Sequence, residues 1–182
     1  LSLHDALPIS VEIYIIHKGK DMEKNKPISV AFEDIRNNPD FIEHSEYRFI
    51  NDDLGMVISF QAMGFRLFRT QQPYRAKEGR IVRIMQGKGR ISINLIEYEA
   101  TAHDIIIIPD NSLIEISEVS PDYEFQVIMP TANFLPVLQN SILSEAYTRN
   151  GIRLSCNNEE WAHISSFFSL LWNILYLYQD TL

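Results

Sequence analysis

Between Gly79 and Pro130 the chain is a succession of short apolar or alternating runs, each closed by turn residues: GRIVRIMQGKGRISINLIEYEATAHDIIIIPDNSLIEISEVSPDYEFQVIMP. Alternation at period two sends successive side chains to opposite faces of a strand, so the pattern restricts this stretch to sheet. Ile81–Met85 is one run, broken by Gln86-Gly-Lys-Gly89, a hairpin turn in which glycine tolerates positive φ. In Arg90–Asn94, Ile91 and Ile93 alternate with Ser92 and Asn94 and share a face. Ile105–Ile108 is unbroken and apolar, as expected of a strand covered on both faces, and Pro109-Asp-Asn-Ser112 ends it. Leu113–Val119 alternates again, Ser120-Pro-Asp122 turns, and Tyr123–Met129 closes the set. Strands of this length and spacing predict an antiparallel sandwich or barrel.

Upstream, Pro27–Phe32, Tyr47–Ile50, Met56–Phe60 and Phe65–Phe68 read as further strands, with a helical turn or loop over Asp34–Glu46. The opening LSLHDALPIS resembles translated sequencing-adapter read-through, which marks residues 1–10 as non-native and Met22 as an alternative start; Val11–Ile16 as a strand stays open. After Pro130 the period changes. One helix is expected from Phe134 towards Arg149, stopped by Asn150-Gly151. A second starts at Asn158 with Glu159 and Glu160 in its first turn, where acids suit the helix dipole. Along it Trp161, Ile164, Phe168, Leu171 and Leu175 recur at helical spacing, and Phe167, Leu170, Ile174 and Leu177 widen the stripe. A helix this apolar needs cover on more than one side, so Trp161, Ile164, Phe168, Leu171 and Leu175 are expected at a dimer interface. The division expected is an arm over 1–26, a barrel over 27–130 and a helical segment over 131–182.

The formal charge of −8 disfavours nucleic-acid binding by the surface as a whole. Residues 66–90 hold eight basic side chains against Glu78 alone, +7, which leaves −15 for the remainder. That segment is either a solvated strand face or an anion-attracting rim on the barrel. Cys156 is the sole cysteine, so no intrachain disulfide forms and a reducing compartment fits. No apolar run approaches the ~18 residues of a bilayer span, and Asp5 and Glu12 do not suit a secretory signal, so a cytoplasmic protein without membrane contact is expected. The five histidines share no ligand spacing, so no metal and no cofactor are expected; His103 reads as a turn residue. Glu97 and Glu99 read as a solvent-facing pair.

Together, Gln86-Gly-Lys-Gly89, Ile93-Asn-Leu-Ile-Glu-Tyr98, His103-Asp104, Ile105–Ile108, Pro109-Asp-Asn111 and Tyr123–Ile128 resemble the N-terminal sensor domain of AraC-family transcriptional regulators, from about Pro27 onward. The resemblance implies a mainly β fold, a cupin-type double-stranded β-helix barrel (jelly roll) followed by two C-terminal α-helices. It implies a small-molecule effector, a sugar or carboxylate, in the barrel, a homodimer, and DNA binding through a C-terminal domain expected beyond Leu182. No enzymatic role is expected, since the metal-binding histidines of enzymatic cupins are missing around Pro73–Arg83. The alternatives are a small non-metal cupin enzyme, isomerase- or epimerase-like, and a ligand-free structural dimer module. Candidate effector contacts are Arg83, Arg66, Tyr74 and Tyr98. Arg83 meets the effector if it shares the inward face of its strand, and lies outside if Val82 and Ile84 point inward instead.

Overall fold

The computed structural model describes residues 26–43, 45–59, 61, 69–131 and 152–178. The strand Phe65–Phe68, the helix over 134–149, the arm and Arg66 lie outside these residues. In chain order the elements are β1 (Ile28–Val30), α1 (Phe32–Arg36), α2 (Pro39–Glu43), a 3-10 turn (Ser45–Tyr47), β2 (Arg48–Ile50), β3 (Leu54–Val57) and β4 (Pro73–Ala76). There follow β5 (Arg80–Gln86), β6 (Lys88–Ile93), β7 (Ile96–Thr101), β8 (Asp104–Ile108), β9 (Leu113–Val119), β10 (Glu124–Pro130), β11 (Ile152–Ser155) and α3 (Asn158–Tyr178).

The strands form two sheets, ordered β1-β4-β9-β6-β7 and β11-β8-β5-β10-β3-β2. From β4 to β10 the chain crosses between them repeatedly, and every pairing is antiparallel except β1 with β4. Their facing sides close over one core containing Ile84, Ile93, Ala100 and Ile106, all fully buried. The chain is thus mainly β, a jelly-roll barrel of the cupin type, with a C-terminal helix.

The tight turn between β5 and β6 is at Gly87, where φ is +75° and a Cβ would come within 2.7 Å of the Tyr123 backbone. Gly89 lies inside β6 instead, and its missing side chain makes room for the Tyr123 ring. Pro27–Phe32 does not stay extended to its end. Phe32 opens α1, where the Ala31 N–H donates to Asp34 Oδ2 (2.7 Å) and the Phe32 N–H to Glu78 Oε2 (2.8 Å). This brings Phe32 and Ile35 onto the barrel core.

α3 begins where the acids predict, but its cap is Asn157. That side chain accepts from the N–H groups of Glu159 (2.9 Å) and Glu160 (3.0 Å), while Glu160 Oε2 accepts from the Asn157 N–H (2.8 Å). The helix lies on the outside of the second sheet, packing Phe168 and Leu175 with Phe49, Met56 and Ile128. No helix among the described residues is long and apolar enough to cross a membrane.

Candidate functional site

Strand β5 organises the site. Its central position, between β8 and β10, gives it one face towards the barrel interior and one towards α3. Arg80 and Val82 line an internal cavity of about 60 Å³. The first sheet contributes Ile91, Ile114 and Ile116, the second adds Ile106, Ile108, Phe125, Val127 and Met129, and Ile35 of α1 closes one side. Among the described residues, polar groups enter this lining only through Arg80 and Tyr123. A water needs about 10–15 Å³ by such a measure, so the void exceeds the packing defects of an ordinary core.

Arg80 is only 5% exposed. Burial pulls its pKa down to about 10, with the charge of Glu78 opposing, so it remains a cation at neutral pH. Burial, and then the charge of Asp104, push the Tyr123 hydroxyl well above its ordinary value, so it stays protonated. Arg80 was not among the expected contacts. Its signal was in the alternation: once Val82 and Ile84 are inward, so is Arg80.

Arg83 takes the other face. It is buried, 3% exposed, but against α3: its guanidinium lies 4.6 Å from the Trp161 ring centre and 4.7 Å from that of Phe168. Nη2 donates to Ser165 Oγ (3.1 Å) and Nε to Met85 Sδ (3.0 Å). Of the two placements open in the sequence, the one with Val82 and Ile84 inward is found, and Arg83 as an effector contact inside the barrel is corrected accordingly. The pleat that points Arg80, Val82 and Ile84 inward turns Ile81, Arg83 and Met85 outward.

Tyr74 is buried at β4, where its hydroxyl accepts from the Arg69 N–H (2.6 Å), and it is not part of the cavity lining. Tyr98 pairs with the cavity residue Ile91 and packs against the core without lining the cavity. The structure does not gather Arg83, Tyr74 and Tyr98 at one point. Nor is the basic segment a uniform rim: Arg75, Lys77, Lys88 and Arg90 are exposed, whereas Arg80 and Arg83 are withdrawn on opposite sides of one strand.

The helix residues divide in the same way. Phe168 and Leu175 are buried on the barrel, with Ile164 and Leu171 packed beside them, and Trp161 is held under Arg83. The side expected to meet a second copy is thus turned to the chain's own sheet. Phe167 (61% exposed), Leu170 (59%), Ile174 (45%) and Leu177 (75%) make a separate outward stripe.

A second cluster ties β8 to β11, the strand that precedes α3, and its neighbour His103 reaches the helix. Asp104 is 1% exposed, and its carboxylate accepts from Arg153 Nε (2.8 Å), Ser155 Oγ (2.6 Å) and the Thr101 N–H (2.7 Å). Next to it His103, at φ +73°, stacks on Trp161 with ring centres 4.7 Å apart. Trp161 therefore contacts both a barrel turn and Arg83. Among the described residues no three His, Cys, Asp or Glu side chains converge as a metal site would require.

No family model and no curated protein matches the chain. Among solved structures it is similar to ToxT from Vibrio cholerae, at TM-score 0.40 and 13% identity over 72% of this chain and 59% of that one. It is also similar to a cupin protein from Bacteroides fragilis (0.34, 20%, 45% of this chain and 69% of that one). A conserved cupin-barrel protein from Leptotrichia buccalis gives 0.37 and 15%, over 46% of this chain and 39% of that one. The chain thus spans about 59% of the ToxT length it matches. At these scores the likeness is one of fold and carries no argument about ligand or activity.

Proposed function

We propose that the chain is the effector-sensing and dimerisation half of an AraC-type transcription regulator, a binding module without a catalytic step. The supporting observation is β5, which lines the cavity through Arg80 and Val82 and seats α3 through Ile81 and Arg83. A small molecule in the cavity touches the same strand that holds the helix. An effector shifts such a system only as far as it prefers one arrangement, about 1.4 kcal/mol for each tenfold change in population. The helix then biases how DNA-binding domains beyond these residues are held, in the cytoplasm where the regulator meets its DNA.

The dimer forms through the outward stripe of α3. Phe167, Leu170, Ile174 and Leu177 follow one another at three, four and three residues, the repeat of a helix-pairing seam. Ile164–Tyr178 contains no Asp, Glu, Lys or Arg, so two copies meet there without like-charge repulsion.

The described side chains leave a cavity in the barrel, which speaks against a purely structural module. An epimerase-like enzyme needs an inward histidine with a Tyr or Asp partner. His103 stacks on Trp161 and His163 is exposed on α3, while Tyr123 holds its proton too tightly to serve as a base. Reading the parent gene past Leu182 tests the proposal. Paired helix-turn-helix units are expected, and a stop codon directly after Leu182 overturns it.

A further inference from the structure

We infer that the cavity takes a small uncharged apolar molecule, of the class of short alcohols, ketones and simple aromatics, rather than a sugar or a carboxylate. This rests on the sensing function proposed above and names its ligand class. Ten of the twelve described lining residues are apolar, among them Ile91, Ile106, Ile114 and Ile116, whose side chains offer no hydrogen-bonding group. A polyol there would surrender the hydration of several hydroxyls and regain few bonds, so its binding is disfavoured. An apolar body loses nothing by the same transfer and gains dispersion contacts with the walls.

Among the described residues the lining offers no charge that awaits a guest. Arg80 is engaged within the chain, and the charge of Glu78 acts on it. A carboxylate entering the barrel would exchange its hydration for isoleucine walls and a guanidinium the protein already serves. An ammonium would meet that guanidinium as a like charge. Tyr123, the other polar member, keeps its proton and sets its ring beside Phe125, with ring centres 5.7 Å apart.

The walls are also stiff. Eight of the ten apolar lining residues are isoleucine or valine, whose χ1 is restricted, and seven of these stand on strands paired along both edges. Such walls do not close over the space, which therefore suits a guest of one size. A void of about 60 Å³ limits it to roughly four to six non-hydrogen atoms.

Calorimetric titration of the full chain at neutral pH with 1-butanol, benzene, butyrate, butylammonium and glycerol, all of similar size, tests the inference. 1-Butanol and benzene are expected to bind about tenfold or more tightly than either ion, and glycerol most weakly. Val82→Phe, which extends an apolar side chain into the void from β5, is expected to abolish binding of both neutral probes. Should it fail to fold, Val82→Leu, one methylene larger than the native residue, is expected to weaken them about threefold. Butyrate, butylammonium or glycerol binding as tightly as 1-butanol overturns the ligand class and leaves the barrel a sensor of polar molecules. Undiminished 1-butanol binding by the folded variant moves the apolar site out of the cavity, to a surface such as the outward stripe of α3, and overturns the inference. Binding of none of the probes removes both the ligand class and the cavity's role as the sensing site. The regulator reading is decided separately, by the sequence past Leu182.

Discussion

Two arginines three positions apart solve opposite problems with one chemical group. Arg83 is withdrawn from water but spreads its charge over the faces of Trp161 and Phe168, both within the ~6 Å at which ring quadrupoles attract a cation. Ser165 then takes one of its N–H donors. Arg83→Ala removes the two ring contacts and this bond, and leaves a gap under the helix. A loss of about 1–3 kcal/mol in urea unfolding is expected, with Trp161 emission moving towards that of a wetter indole. Arg83→Lys should recover little, because an ammonium cannot lie flat on two rings. An unchanged unfolding midpoint for Arg83→Ala would show that the contact holds nothing.

At the level of elements, α3 is apolar on two stripes and charged on neither, so its spacing does not say which stripe the chain's own sheet covers. Spacing showed that two faces need cover, but nothing in Trp161–Tyr178 labels which one meets the barrel. Mutation separates them. Phe167→Glu with Leu170→Glu is expected to convert a dimer to a folded monomer in equilibrium sedimentation, whereas Phe168→Glu should detach or unfold α3, by about 3 kcal/mol or more. A dimer that survives the first pair would rule out the outward stripe as the interface.

The strands were legible to different degrees for similar physical reasons. Leu113–Val119 alternates between buried and wetter positions and was found in full. The strand Ile96–Thr101 shows in the sequence only as the acidic pair Glu97 and Glu99, because it runs at an exposed sheet edge and its Ile96 is itself 39% exposed. In β5 the existence of the strand was plain but its orientation was not. Ile81, Val82 and Ile84 are apolar at both parities, and an arginine lies at each, so alternation has no polar side to follow. Which arginine entered the barrel was decided by the partners across the sheet: Val82 lies opposite Val127 and Ile106, both core residues.

Over the whole molecule, the seating of β11, the strand that precedes α3, on β8 is expected to depend on pH through Asp104. Burial opposes its ionisation, but bonds from Arg153, Ser155 and the Thr101 N–H outweigh it and hold the carboxyl below its ordinary value. A carboxyl lowered by folding contributes stability in full above its unfolded value, near 4, and that contribution disappears as pH falls through the lower folded value. Stability is therefore expected to fall as the solution passes below about pH 4. Asp104→Asn should cost about 2 kcal/mol at pH 7, since Arg153 is partly open to water and can be rehydrated. Its acid slope should be shallower than that of the unsubstituted chain. Parallel acid profiles for the two proteins would assign the pH dependence elsewhere.

The placement of β5 also fixes how the molecule can move. It is clamped by β8 on one edge and β10 on the other, so it cannot swing like a loop or open like a lid. Arg80 and Arg83 stand about 10 Å apart along it, with only Ile81 and Val82 between them. Whatever presses on the inner surface reaches the outer one through a single stiff thickness of backbone, with no soft layer to absorb the stroke. In the sensor proposed above such a device would work as a strain gauge: displacements small, transmission direct, and its range set by how little a clamped strand yields.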